Sequence, residues 1–201
     1  MRVYCAGPLF TPYERDFMSQ CGKHLREHGI EAFVPHESPR PELPPQVLDL
    51  LRARNLIAKD DLISRPLREL VSELTKSGRL DPKDLEPILG TSAKRCYDND
   101  FGAIAASNAM LAVVNGPEVD DGTACEIGIF YGLKQSDAGK LGIVALQQDW
   151  RTEDPPHEGK GLNAFVLGCV LEVGQVCHSL EEATRHLLAW QAQLEQGGGN
   201  K

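Results

Sequence analysis

Residues 109–114 (AMLAVV) and 115–132 (NGPEVDDGTACEIGIFYG) decide how this chain is read. The first is an uninterrupted apolar run of strand length. The second opens on a Gly-Pro loop, passes two adjacent carboxylates and becomes helical, with Ile127, Phe130 and Tyr131 spaced for one buried face. Strand, acidic loop and helix in that order place polar side chains at the carboxyl end of a sheet. Glu126 has two readings here. Thr123-x-x-Glu126 has the spacing of a capping box, in which both side chains satisfy free N–H groups at a helix start. The same position suits an ionised carboxylate, because a helix N-terminus favours negative charge by roughly 0.3–1 kcal/mol, and such a carboxylate can serve as a nucleophile. Spacing does not choose between them.

The flanking chain repeats the alternation. Residues 2–6 (RVYCA) read as a buried strand, and Thr11-Pro12 opens a helix with Thr as cap and Pro in the first turn. Tyr13, Phe17, Cys21 and Leu25 follow at i, i+4 spacing, Gly29 closes the helix, and residues 31–34 (EAFV) form a second strand. Strand, helix and strand within so few residues make a right-handed parallel unit. Residues 96–107 read as a helix leading into the central strand, 142–146 (GIVAL) as a fourth strand and 175–177 as a fifth. Ser179 caps a final helix. The fold expected is α/β, a doubly wound, flavodoxin-like parallel sheet of five strands in the order 2-1-3-4-5. Ligands of such sheets bind where the order reverses, between the first strand and 109–114. Residues from about 43 to 92 are rich in Leu and charge, with amphipathic stretches at 47–56, 67–74 and 85–89. They read as a helical insertion after strand 2 within a single domain spanning 1–201.

Composition narrows the function. The 201 residues carry a formal net charge of −8, with 41 % hydrophobic and 25 % charged residues. An acidic chain is a poor partner for nucleic acid or an anionic membrane, and no apolar run is long enough to span a bilayer. No secretory leader is legible at MRVYCAGP, so a cytoplasmic protein is expected. The six cysteines lack C-x-x-C pairs or Cys/His spacing, which points to reduced, mostly buried thiols and to no metal. Cys125 is set about 100° around the helix from Glu126, which argues against a shared thiol site. Asp98-Asn-Asp100 lacks the later ligands of a calcium loop. Neither a dinucleotide fingerprint nor a P-loop is present, and no cofactor is expected.

The ordered set Tyr4-Cys-Ala-Gly7-Pro-Leu-Phe10, Asp98-Asn-Asp100, Asp120-Asp-Gly-Thr-Ala-Cys-Glu126-Ile-Gly and Gly161-Leu-Asn163-Ala-Phe165 resembles the nucleoside 2-deoxyribosyltransferase family. The resemblance implies that Glu126 is the nucleophile that takes deoxyribose from a 2′-deoxynucleoside before a second, free nucleobase accepts it. It implies Asp100 as the group that protonates the departing base and Tyr4 as the hydroxyl that steadies Glu126. Asp120 and Asn163 would hold the sugar 5′-hydroxyl, with Asn163 reaching from a neighbouring subunit of a homodimer or larger homo-oligomer. Gly7, Phe10 and Phe165 would line the substrate, although Phe165 replaces a methionine found in some members. Related hydrolases place small hydroxyl residues at the 5′ positions to receive a phosphate, whereas Asp120 would repel one. Two other readings stand beside the transferase: an N-glycoside hydrolase of nucleosides or their 5′-monophosphates, and a non-catalytic nucleotide-binding domain.

Overall fold

The computed structural model describes residues 1–38, 42–57, 66–149 and 162–198. Its contacts fall into two compact units, one formed by Met1–Ser38 with Asp100–Lys201 and the other by Pro39–Asn99. In the larger unit β1 (Arg2–Ala6), β2 (Glu31–Phe33), β3 (Ala109–Val113), β4 (Gly142–Leu146) and β5 (Gln175–Cys177) form one sheet. The order is β2-β1-β3-β4-β5 and every pairing is parallel, as the alternation of strands and helices implied. The reversal of order falls between β1 and β3.

Side-chain alternation along the strands builds two apolar layers. Val3 and Cys5 of β1, Leu111 of β3 and Val144 of β4 point to one face. That face is covered by α1 (Pro12–Glu27) and α8 (Leu180–Gly198). Tyr4, Ala6, Met110, Ala112, Ile143 and Ala145 point to the other. This second face packs against Ala103 and Ile104 of α5 (Ser92–Ala106), Ile127 and Phe130 of α6 (Asp121–Lys134) and Val170 of α7 (Ala164–Val173). Strands buried on both faces explain why β3 and β4 are apolar at every position. The period of two also puts Tyr4 on the α6 side.

The start of α1 matches the sequence. Thr11 accepts a hydrogen bond from the Glu14 N–H while the Glu14 carboxylate accepts one from the Thr11 N–H, a reciprocal cap. Its buried face does not: Tyr13 is 86 % exposed. The interior stripe is Met18, Cys21, Gly22 and Leu25, with Phe17 only partly buried. Gly22 sets that rotation, since a Cβ there would lie 2.4 Å from Val34 Cγ2. A glycine used as an apolar contact is invisible to a count of large side chains.

The smaller unit holds α2 (Pro45–Ala53), α3 (Leu67–Lys76), a 3-10 turn at Pro82–Leu85 and the short α4 (Glu86–Leu89). Asp81 caps the turn by accepting from the Lys83 N–H. Val47, Leu51, Leu74, Leu80 and Leu85 form a core of their own. Among the described residues no helix is long and apolar enough to cross a membrane.

Candidate active site

α6 begins one turn earlier than the capping-box reading places it. Asp120 is the N-cap: its Oδ2 accepts from the Thr123 N–H at 2.9 Å and from the Thr123 hydroxyl at 3.0 Å. Asp is the stronger N-cap former of the two candidates, and it claims the N–H of Thr123, which becomes the third helical residue. Glu126 is therefore in the second turn and caps nothing. It shares the sheet-facing stripe with Thr123, Ile127 and Phe130, all buried, and its side chain is directed to β1.

There it meets Tyr4. The Tyr4 hydroxyl donates to Glu126 Oε1 at 2.6 Å. The phenol ring is fully buried and stacks on Phe33 of β2, with centroids 5.6 Å apart and planes 17° from parallel. Tyr4 and Phe33 are partners in the β1–β2 register, so the pleat itself holds the ring. That neighbour is legible only once the register is known, and Phe33 is a residue the sequence reading passed over. Among the described residues Oε2 of Glu126 makes no hydrogen bond.

Burial controls the charge on Glu126. The desolvated carboxyl is pushed up from 4.5 to about 7; the Tyr4 hydrogen bond pulls down against this, and the negative charges of Asp100 and Asp120 push up. The helix dipole acts chiefly within the first turn and is worth at most about 1 kcal/mol here. A rise of this size corresponds to about 3 kcal/mol, so burial outweighs the dipole and the group is poised near neutrality. Asp100 comes into range because residues 100, 103 and 104 share one face of α5, and Ala103 and Ile104 are buried against the sheet. Glu126 thus faces two carboxylates from two other positions in the chain. A carboxyl raised toward neutral pH beside further carboxylates has the chemistry for displacement at a sugar carbon.

The sequence model of the family described as Nucleoside 2-deoxyribosyltransferase matches residues 3–180. The chain belongs to the nucleoside 2-deoxyribosyltransferase family. It is 25 % identical over 192 residues to an uncharacterized protein of Ureaplasma parvum, covering 94 % of each chain. Solved structures share the fold. The 2-deoxyribosyltransferase of Bacillus psychrosaccharolyticus is 16 % identical with a TM-score of 0.51, over 92 % of this chain and 90 % of that one. The enzyme of Leishmania mexicana is 15 % identical with a TM-score of 0.52, over 94 % and 97 %.

The remaining residues that the resemblance to the nucleoside 2-deoxyribosyltransferases singles out are placed less closely together. Gly7 follows β1 directly, and a Cβ there would meet Met18 Sδ at 2.5 Å and Val113 Cβ at 3.1 Å, so a side chain would have to displace Met18 and press on β3. Phe10 is 77 % exposed and Phe165 is 83 % exposed. Asn163 caps α7, its Oδ1 accepting from the N–H groups of Phe165 at 2.9 Å and Val166 at 3.4 Å. Gly161 lies outside the described residues. The loop carrying Asp120 is tied to the next one: Asn115 Oδ1 accepts from the Gln148 N–H at 2.6 Å, and the Gly116 N–H donates to Asp149 at 3.2 Å. Gly116 holds φ at +116°, which only glycine adopts without strain. Among the described residues no cysteine forms a disulfide; Cys5, Cys21 and Cys177 are buried and Cys169 half-buried, while Cys96 and Cys125 are exposed.

Proposed function

We propose that this protein exchanges the base of 2′-deoxynucleosides through a covalent deoxyribosyl ester on Glu126. The observation that carries the reading is the Tyr4–Glu126 hydrogen bond inside a site where burial and two carboxylates raise Glu126. Tyr4 engages Oε1, so Oε2 is the atom offered to C1′. As the Oε2–C1′ bond forms, the C1′–N bond breaks and its electron pair leaves with the base, which takes a proton from solvent relayed through Asp100. The nitrogen of a second base then attacks C1′, its N–H proton passes back through Asp100 to solvent, and the ester oxygen leaves with its electrons to restore the Glu126 carboxylate. Two displacements on one carbon retain configuration.

Asp120 supports a nucleoside rather than a nucleotide. Its Oδ2 is taken by the cap, while Oδ1 makes no hydrogen bond among the described residues and is free to accept a 5′-hydroxyl. A 5′-phosphate would meet like charge there, at a cost of several kcal/mol in a partly desolvated site. Asn163 with its exposed neighbours Phe165 and Leu171 supports a homo-oligomer in which α7 delivers Asn163 to the adjoining chain's site.

Incubation with deoxyadenosine and free cytosine or hypoxanthine tests the reading. A new deoxynucleoside is the expected product. Free deoxyribose alone would make the protein a hydrolase, and no turnover would leave a binding domain.

A further inference from the structure

We infer that Cys177, Glu182 and His186 form a binding site for a zinc-like divalent cation at the far side of the sheet from Glu126. Their donor atoms all lie within 4.8 Å of one another. Two features of the chain bring them together. Cys177 is the last residue of β5 and is fully buried, so its Sγ is fixed by the core. Glu182 and His186 are four residues apart in the first turns of α8 and so share one helical face. Cys-x4-Glu-x3-His is not a familiar metal spacing, and a search for Cys or His pairs passes over it. Only the packing of α8 against β5 makes it a cluster.

The donor set is chemically selective. One thiolate, one imidazole and one carboxylate are the ligand types of zinc, and three protein donors leave a fourth position for water. In a tetrahedral site donors stand roughly 3.3–3.8 Å apart, so these side chains must close by at most about 1.5 Å. A divalent cation is balanced by the two negative ligands, and the loaded site is neutral, which keeps the desolvation cost of the buried thiolate low. Partners around the ligands are already in place. Glu182 is oriented by the His178 N–H, which donates to its Oε2 at 2.9 Å. The Gln175 amide donates to Cys177 Sγ at 3.6 Å. Such contacts aim ligands in metal sites.

Without metal the thiol keeps its proton, because burial first and the Glu182 charge second push it up to about 11, against the pull of Gln175 and Arg185. Binding therefore displaces one proton from Cys177 to solvent as the metal–sulfur bond forms. The site lies three strands from Tyr4 in the sheet, roughly 14 Å at ordinary strand spacing. It shares no residue with the proposed chemistry, and does not depend on that reading.

The test uses the full chain with exposed Cys96 and Cys125 replaced by Ser, so that they cannot bind metal. Titration with Co²⁺ is expected to give one equivalent bound, a sulfur-to-cobalt charge-transfer band in the near ultraviolet, release of one proton, and loss of the band when Zn²⁺ is added. His186→Ala and Glu182→Gln are each expected to weaken binding at least about tenfold. Zinc should raise the melting temperature of the parent and not that of His186→Ala. Absence of the band in a folded parent overturns the inference. So does a band of undiminished affinity in both variants, since the cobalt would then sit elsewhere.

Discussion

Replacing Tyr4 by Phe removes one oxygen and leaves the ring in its stack on Phe33. What is lost is the 2.6 Å hydrogen bond to Glu126 Oε1, which favours the ionised carboxylate. A hydrogen bond to a charged group is worth about 1.5–3 kcal/mol, and each 1.36 kcal/mol moves a titration by about one pH unit. Glu126 should therefore shift from about 7 to about 8–9. In the proposed mechanism only the ionised form attacks C1′, so the ascending limb of kcat/KM against pH should move up by the same amount. At about pH 6 the variant should be roughly 10- to 100-fold slower than wild type for this reason alone. Above about pH 9 the two should converge, because both are then ionised. Profiles measured with deoxyadenosine as donor and hypoxanthine as acceptor separate the cases. An unmoved limb with a uniformly lower rate would refute the argument, and Tyr4 would then act on the transition state rather than on the charge of Glu126.

Glu126→Gln should lose at least about 10³-fold in exchange rate and also change the pH dependence of stability. A carboxyl raised in the folded state holds its proton more tightly there, so its favourable contribution is full below about 4.5 and is lost as pH rises through about 7. The Gln variant should consequently gain up to about 3 kcal/mol on wild type between pH 5 and 8 in urea unfolding, and parallel curves would contradict this. Asp120→Ser should keep the α6 cap and narrow the preference for nucleosides over their 5′-monophosphates, whereas Asp120→Ala should cost about 1 kcal/mol of stability; equal melting temperatures for the two would refute the capping role. Lys140→Met strands the carbonyls of Ile104, Ala105 and Ser107, which its buried ammonium now satisfies at 3.3, 2.5 and 2.5 Å; a loss above about 2 kcal/mol is expected in chemical denaturation. Mixed Glu126→Ala and Asn163→Ala subunits, after verified exchange, should recover about a quarter of wild-type activity if dimers pair at random. Activity no higher than the parents' average would put Asn163 outside its neighbour's site.

The sheet was legible because its determinants are local. Apolar strands such as 109–113 and 142–146, Thr11-Pro12 and Gly29 each state their element within a few residues, and right-handed crossovers leave little choice of order. The start of α6 was less so. Asp120, Asp121 and Thr123 are all acceptors able to cap, and the choice depends on which one reaches an N–H in the folded loop. Once Asp120 wins, Glu126 moves from a surface cap to the sheet-facing stripe. Its titration depends on burial and on Tyr4, a residue 122 positions away, and no spacing rule carries that. The position of Phe33 behind Tyr4 required the strand register.

Because Asp120 begins α6 and, in the function proposed above, also faces the ligand, the position can change over evolutionary time only within a short menu. A mutation that alters specificity there without providing a helix cap is exposed to selection against unfolding before it can be selected for a new substrate. Ser, Thr and Asn escape that filter, since each can still accept the Thr123 N–H. Steps among these four residues swap a negative charge for a hydroxyl or an amide while the helix start stays put. The ancestry of this fold could thus pass between substrates that differ in 5′ charge by single substitutions, with no unstable intermediate on the way.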